Sequence, residues 1–130
     1  MSRYCLVVLK TPLVAQDLAL TLEELTGAVA ITASAIEESC LKLAGLGPGS
    51  LLYAFIQSDI ASLRESPLVS LVERVGGQII LTGHPAELEA DREGDTAWPV
   101  LKQPFGPAQV AELLEKIPPR VPRQDTAAQD

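Results

Sequence analysis

Short apolar runs recur along this chain, and segments with apolar residues at helical spacing separate them. Nearly continuous apolar runs are typical of strands that are buried on both faces of a parallel sheet. The runs predict five strands, at Tyr4 to Leu9, Ala28 to Thr32, Leu51 to Ile56, Gln78 to Leu81 and Ala97 to Leu101. Because helical segments alternate with these strands, the pattern indicates βα units around one sheet.

The first two helices carry clear start signals. The first is predicted to have Thr11 as its N-cap, Pro12 at its first position and Gly27 at its end. The residues on its predicted inner face are Val14, Leu18, Leu22 and Leu25. The second is predicted to begin with a capping box formed by Ser34 and Glu37 and to end at the glycine-rich segment 45–49. Its predicted inward residues are Ile36, Cys40, Leu43 and Ala44.

Three further helices follow in the predicted pattern. One begins at Ser66 and Pro67, and its inward residues are Leu68, Leu71, Val72 and Val75. A short fourth helix is predicted around 86–93, where Leu88 is surrounded by acidic residues. The fifth begins near Pro107, and its inward residues are Val110, Leu113, Leu114 and Ile117.

Five parallel strands in a domain of this size most often take the order 2-1-3-4-5, with helices on both faces of the sheet. We therefore predict an α/β fold, a flavodoxin-like, doubly wound sheet in three layers, for residues 1–117. Residues 118–130 are Pro-rich and polar, and we expect them to be a disordered tail. In such sheets the functional crevice lies beyond the carboxyl ends of the strands, so the residues that follow each strand are the candidates for a site.

Composition narrows the class of protein. The chain has 130 residues, of which 47% are hydrophobic, and this is enough for one core. Ten Lys and Arg stand against 17 Asp and Glu, and the formal net charge of −7 argues against direct nucleic-acid binding. No apolar run reaches the length of a membrane span, and the first residues do not have a signal-peptide pattern. We expect a cytoplasmic protein without membrane contact, cofactor or metal, whose Cys5 and Cys40 are reduced and buried.

Four segments carry a resemblance to a known family. Residues 7–12 read VVLKTP and residues 101–105 read LKQPF, and they resemble the V-V-D-D-E-P and L-x-K-P-F motifs of response-regulator receiver domains. LYAFIQSDI at 52–60 is similar to the third-strand segment that carries the phosphoacceptor in receivers, and IILTG at 79–83 is similar to their fourth-strand Thr motif. Over roughly residues 3–117 the chain therefore resembles a chemotaxis-type receiver.

The residues that perform phosphorylation in receivers are exchanged in this chain. In the family, an acidic pair holds Mg²⁺, a third-strand Asp is the nucleophile and a fifth-strand Lys neutralises the phosphoryl group. The matching positions here are Leu9, Lys10, Gln57 and Gln103, and among the active residues Thr82 alone is kept. Leucine and an ammonium group offer no carboxylate oxygen to a hard cation, and a neutral amide cannot form an aspartyl phosphate.

Two alternative registers are possible for this pocket. A shift of one residue in the fifth strand would bring Lys102 to the crevice, although Pro104 favours the register given above. A shift in the third strand would place Ile56 or Ser58 at the acceptor position, and neither is a carboxylate. In the favoured register we expect the Lys10 side chain to replace the metal as the positive charge and to hydrogen-bond acceptors in the crevice, namely Gln57, Thr82 or Asp59.

The resemblance with these exchanges implies a stand-alone pseudo-receiver, a phosphorylation-independent protein–protein interaction module of bacterial signal transduction that is not an enzyme. Receivers usually bind through the face of the fourth helix, fifth strand and fifth helix, which implies a protein partner or a homodimer at that face. The residues of this possible interaction surface are Glu87, Glu89, Asp91, Trp98 and Val100. Val100 stands where receivers have a switching aromatic ring, and the few rotamers of valine predict a conformationally fixed domain.

Two alternatives stay open. The emptied pocket could bind a small ligand, which would make the protein a sensor. The chain could also be phosphorylated at an unconventional acceptor such as Asp59 or Ser58.

Overall fold

Residues 3–83, 98–101 and 106–117 are described by the computed structural model, with the side chain of Ile60 excepted. The strands are β1 (Tyr4–Val8), β2 (Val29–Ala33), β3 (Leu51–Gln57), β4 (Gln78–Thr82) and β5 (Val100–Leu101). The helices are α1 (Pro12–Thr26), α2 (Ile36–Leu43), α3 (Ile60–Arg64), α4 (Leu68–Arg74) and α5 (Pro107–Lys116). The predicted fourth helix at 86–93 and the predicted tail at 118–130 lie outside the described residues.

The sheet is parallel throughout, and its strand order is β2-β1-β3-β4-β5. This confirms the predicted α/β flavodoxin-like fold. Each strand begins and ends within one residue of its predicted bounds, except that β5 begins at Val100. β3 lies in the middle, and its residues 51–56 are all buried because the sheet is covered on both faces. This double burial explains the continuous apolar run that predicted the strand.

Two hydrophobic clusters lie on opposite faces of the sheet. Side chains alternate between faces along a strand, so Leu6 and Val8 of β1 contact the cluster with α2, α3 and α4. Cys5 and Val7 contact the other cluster, which contains residues of α1 and α5. In that second cluster the buried Tyr53 hydroxyl donates a hydrogen bond of 2.6 Å to the Ile117 carbonyl oxygen, which connects the end of α5 to the central strand.

α1 begins and ends where the sequence predicts. Thr11 is the N-cap with extended backbone, Pro12 follows, and Gly27 ends the helix in the left-handed conformation at φ 75°. The predicted inner face is wrong in part, because the buried residues are Ala15, Leu18, Ala19 and Leu22. Val14 is half-buried and Leu25 is 45% exposed. Two alanines on the inner face let the helix backbone approach the sheet closely, and Leu25 is left at the margin.

The predicted capping box of the second helix is also wrong. Ala35 is the N-cap of α2, one residue later than expected, so Glu38 and not Glu37 stands at the third helical position. The Glu38 carboxylate accepts hydrogen bonds from the backbone N–H and the hydroxyl of Ser34, at 2.9 and 3.2 Å. The inner face of α2 also includes Ser39, which was not predicted and is fully buried.

Of the four residues predicted to face inward on this helix, only one is fully buried. Leu43 is fully buried, whereas Ile36 is half-buried and Ala44 is exposed. Cys5 and Cys40 are free thiols, and Cys5 is buried as predicted, but Cys40 is half-buried. Burial raises the pKa of the Cys5 thiol, which keeps it protonated.

The later helices agree with the predicted pattern, and one extra turn of helix appears. Leu68, Val72 and Val75 are buried in and after α4, and Val110 is buried in α5. The residues of these two helices that are only half-buried are Leu71, Leu113, Leu114 and Ile117. α3 was not predicted, and its N-cap is Asp59, whose carboxylate accepts the Ser62 backbone N–H at 3.0 Å.

Candidate functional site at the carboxyl ends of the strands

The carboxyl ends of β1, β3 and β4 lie side by side. Val8 pairs with Ile56, and Gln57 pairs with Thr82, so the residues that follow these strands meet at one end of the sheet. The structure therefore brings together four of the sequence-predicted positions, which are Leu9, Lys10, Gln57 and Thr82. The fifth, Gln103, lies outside the described residues, as does Lys102. We call this end of the sheet the crevice.

Leu9 contributes no polar group to the crevice. It is 2% exposed and packs in the cluster beneath α1. A buried aliphatic side chain at this point cannot ligate a hard cation, because such a cation needs oxygen ligands.

Gln57, at the end of β3, is hydrogen-bonded to the segment that follows β1. Its side-chain amide oxygen accepts the backbone N–H of Lys10 at 2.8 Å. The prediction that the Lys10 side chain makes this contact is therefore wrong, because the backbone N–H of Lys10 is the donor. The exposed ammonium of Lys10 has no hydrogen-bond or ion-pair partner within the described residues. The amide of Gln57 satisfies a donor that would otherwise face the crevice.

Gln57 also contacts the turn after β4. Gly83 has a φ of 103°, and a Cβ built on it would lie 2.8 Å from the Gln57 Cγ. Only glycine adopts this backbone conformation without strain, and only glycine leaves space for the glutamine side chain. The half-buried Gln57 side chain thus lies between the ends of β1 and β4, close to the backbone of Gly83.

Thr82 is fully buried, and its hydroxyl is used inside the sheet. It donates a hydrogen bond of 2.9 Å to the carbonyl oxygen of Leu101 in β5. The hydroxyl therefore links β4 to β5 and does not face open solvent. The predicted strand order places Thr82 next to the fifth strand, but the sequence analysis did not predict that its hydroxyl bonds to the Leu101 carbonyl.

Asp59 is the acidic residue nearest in sequence to Gln57, and its carboxylate is occupied as a helix cap. Its hydrogen bond from the Ser62 backbone N–H holds the pKa of Asp59 below its usual value. The neighbouring Ser58 hydroxyl donates to the Asp59 carbonyl oxygen at 2.9 Å. Both candidates for an unconventional acceptor therefore already make local hydrogen bonds.

A concavity of about 340 Å³ opens beside these residues. Lys10, Gln57 and Asp59 line one side, and the residues around the start of α2, including Ser34 and Glu37, line the other. The lining carries groups of both charges, and Val8, Ala35 and Ile36 add apolar surface to it. Within residues 3–83, 98–101 and 106–117, no group of three His, Cys, Asp or Glu side chains is placed to hold a metal ion.

The predicted interaction surface is described at two of its five positions. Trp98 is half-buried, and the Arg64 guanidinium lies over its ring at 5.8 Å from the centroid. Val100 is half-buried and packs against the cluster that contains α4. The remaining positions, Glu87, Glu89 and Asp91, lie outside the described residues.

Comparison of this chain with the models of known protein families, with curated proteins and with solved structures finds no match. In the part of the chain that the structure describes, no helix is long and apolar enough to cross a bilayer.

Proposed function

We propose that this protein is a pseudo-receiver that binds a protein partner without phosphorylation, as a signalling adaptor and not as an enzyme. The proposal combines the receiver-like motifs of the sequence with the strand order β2-β1-β3-β4-β5. Fold alone does not identify function, so the proposal rests on the residues of the crevice.

The observation that supports the proposal most is the contact between the Gln57 amide oxygen and the Lys10 backbone N–H at 2.8 Å. Gln57 stands where the resemblance places the phosphoacceptor. A carboxylate nucleophile needs an ionised oxygen that faces the phosphodonor, whereas Gln57 is a neutral amide whose oxygen already has a donor. The same contact stabilises one arrangement of the strand ends.

The surroundings of Gln57 support the same conclusion. Leu9 is buried and offers no metal ligand, and the Thr82 hydroxyl is bonded to Leu101. Mg²⁺ is generally held by carboxylates together with phosphate oxygens and water. Among the described residues the crevice contains one free ammonium group, on Lys10. The nearby carboxylate of Asp59 is the N-cap of α3 and already accepts the Ser62 N–H.

The partner is proposed to bind the face that includes β5 and α5. Trp98 lies just before β5 with part of its ring accessible, and aromatic residues are frequent among the residues that dominate binding at protein interfaces. Because no phosphorylation step is required, this face is permanently available and binding follows protein concentration.

The absence of phosphoryl transfer is tested by intact-mass spectrometry after incubation with acetyl phosphate and Mg²⁺. We expect no stable gain of a phosphoryl group, and no Mg²⁺-dependent shift of the amide resonances of Lys10 and Gln57. A phosphoryl group mapped to Asp59 or Ser58 would instead support the unconventional acceptor.

The partner face is tested by co-purification from the native cell with the wild type, Val100→Arg and Leu41→Arg. Val100 is half-buried beside β4, whereas Leu41 is 80% exposed on α2, near the other edge of the sheet. We expect the partner to be lost with Val100→Arg alone, provided that thermal melting shows all three proteins folded. Equal recovery with all three would contradict the proposed face.

A second candidate is a small-ligand sensor, and the concavity of about 340 Å³ favours it. This volume lies at the lower end of the range for small-molecule pockets, and the wall combines apolar surface with a few charged and polar groups. Thermal shift against pools of anionic and zwitterionic metabolites distinguishes the candidates. A stabilising metabolite whose effect disappears in Lys10→Ala would favour the sensor.

A further inference from the structure

The outer edge of β2 is covered by charged side chains. β2 pairs with β1 on one side only, and the residues that face β1 include Val29 and Ala33. Because backbone groups alternate in direction along a strand, Ala30 and Thr32 direct their N–H and C=O groups outward. An edge strand with free backbone groups is a template on which another strand can pair.

Three side chains each bind one backbone group along this edge, at the alternate residues Ala30, Thr32 and Ser34. The Glu23 carboxylate accepts the Ala30 N–H at 2.9 Å, and the Lys42 ammonium donates to the Thr32 carbonyl oxygen at 2.6 Å. Glu38 accepts the Ser34 N–H at 2.9 Å and pairs with Lys42 at 3.1 Å. Glu23 comes from α1, whereas Glu38 and Lys42 come from α2, so the edge is covered from both faces of the sheet.

A groove of about 540 Å³ runs along this edge. Ala19 and Leu20 of α1 form part of its apolar wall, and Glu38 and Lys42 form part of its polar wall. Every large hydrophobic residue that is exposed in the described part of the chain belongs to α1, β2 or α2. These residues are Leu13, Leu20, Leu25, Val29 and Leu41.

The arrangement of charges along β2 is complementary to itself. If two copies of β2 pair antiparallel with Ile31 opposite Ile31, Ala30 of one copy lies opposite Thr32 of the other. These residues then exchange both of their backbone hydrogen bonds. In each copy Glu23 lies beside Ala30, and Lys42 lies beside Thr32. Because Ala30 of one copy is opposite Thr32 of the other, Glu23 of one copy comes close to Lys42 of the second copy, which has the opposite charge.

We propose that the β2 edge is a gated homotypic interface: Glu23, Lys42 and Glu38 close it in the single chain, and a second copy pairs antiparallel along β2 when these contacts open. The interface is isologous, because the same strand supplies both halves. It lies at the opposite edge of the sheet from β5, and it does not depend on the proposed partner face.

Sedimentation equilibrium of three proteins tests this interface. The double variant Glu23→Ala, Lys42→Ala opens the edge, and a triple variant adds Thr32→Pro. Proline at 32 removes the outward N–H and leaves the β1 ladder intact, because that N–H does not face β1. The double variant loses the charge pairs between copies, which contribute little because exposed ion pairs are weak, but it frees the Ala30 N–H and the Thr32 carbonyl for strand pairing. We therefore expect it to dimerise roughly tenfold more tightly than the wild type, and the triple variant to be monomeric.

Amide hydrogen exchange at Thr32 locates the interface. We expect this N–H to exchange rapidly in the monomer and to be protected in the dimer. The proposal is overturned if the double variant associates no more tightly than the wild type, if the dimer persists with Thr32→Pro, or if Thr32 is unprotected in the dimer. If the double variant does not fold, Lys42→Met, which removes the ammonium and keeps the aliphatic stem, is compared in the same way.

Discussion

The crevice and the β2 edge both contain backbone groups that a side chain covers, but the side chains differ in charge. In the crevice the neutral amide of Gln57 accepts the Lys10 N–H, in close contact with Gly83. At the β2 edge the covering groups are the charged ends of Glu23, Lys42 and Glu38. A hydrogen bond to a neutral amide is insensitive to salt, whereas partly exposed ionic contacts are screened by it. We therefore expect the Gln57 contact in the crevice to be insensitive to salt, and the contacts of the β2 edge to weaken as salt is added.

The largest effect in this comparison is expected from Gly83→Ala. Gly83 has a φ of 103°, and the added Cβ would lie 2.8 Å from the Gln57 Cγ. We expect a loss of about 2 kcal/mol in the free energy of unfolding, from backbone strain and displacement of Gln57. Urea denaturation measures it. The control is Gly45→Ala, where a Cβ would meet nothing within 4 Å, and an equal loss in both variants would contradict the proposed role of Gly83.

The next effect comes from the Gln57 amide itself. Gln57→Met keeps the length of the side chain but removes the acceptor of the Lys10 N–H, and we expect a loss of about 1 kcal/mol that is the same in low and high salt. Gln57→Glu keeps an acceptor oxygen and should retain most of the stability. Denaturation of both variants at two salt concentrations tests this, and a strongly salt-dependent loss in Gln57→Met would show that the contact does not behave as a neutral hydrogen bond.

A smaller effect is expected at the helix cap beside the crevice. Asp59→Ala removes the acceptor of the Ser62 N–H and should cost about 1 kcal/mol or less, since α3 is short. The folded-state pKa of Asp59 is lowered by this hydrogen bond. The Asp59 carboxylate therefore adds to the free energy of unfolding above its unfolded-state pKa. This contribution is lost as pH falls through the lowered pKa of the folded state.

Chemical denaturation from neutral to acidic pH checks the Asp59 prediction. Asp59→Asn is the matched control, because asparagine also caps helices but carries no titrating carboxyl group. We expect the wild type and Asp59→Ala to converge in stability in acid. A difference that stays constant with pH would argue against the charged cap.

The smallest effect is expected at the β2 edge. The hydrogen bond from the Ser34 backbone lowers the pKa of Glu38, with a further contribution from Lys42. Glu38→Gln should therefore destabilise slightly near neutral pH, and the difference should disappear as pH falls through the lowered pKa or as salt is added. Thermal melting of the wild type and Glu38→Gln at low and high salt tests this. If their difference in stability persists at high salt, the edge contacts are as insensitive to salt as the Gln57 contact, which contradicts the comparison.

The fold could be predicted from sequence because the strands are buried on both faces. Continuous apolar runs such as the one ending at Ile56 are typical of doubly buried parallel strands when they alternate with helical segments. α3 was missed because its five residues are too few for a periodic pattern, although Asp59 before an apolar residue is a weak capping signal. The inner face of α1 was wrong because Ala15 and Ala19 pack inward, and small residues contribute little to a hydrophobic pattern.

The candidate site was predicted at the level of positions and not of contacts. Aligned strand ends were enough to bring Lys10, Gln57 and Thr82 together. The bond between Lys10 and Gln57 joins residues that are 47 positions apart, and it uses a backbone atom. Sequence motifs describe side chains, so they could not reveal it. The contacts of Glu23 and Lys42 with β2 were missed for the same reason.

Trp98 has a practical consequence, because it is the only tryptophan of the chain. Its half-buried ring lies beside Arg64, just before β5 and at the far side of the sheet from β2. Indole emission is sensitive to solvent and to nearby charge, so the fluorescence spectrum of the unlabelled protein reports events at one edge of the sheet only. A ligand or partner that covers β5 should shift the emission maximum, whereas pairing along β2 should leave the spectrum unchanged.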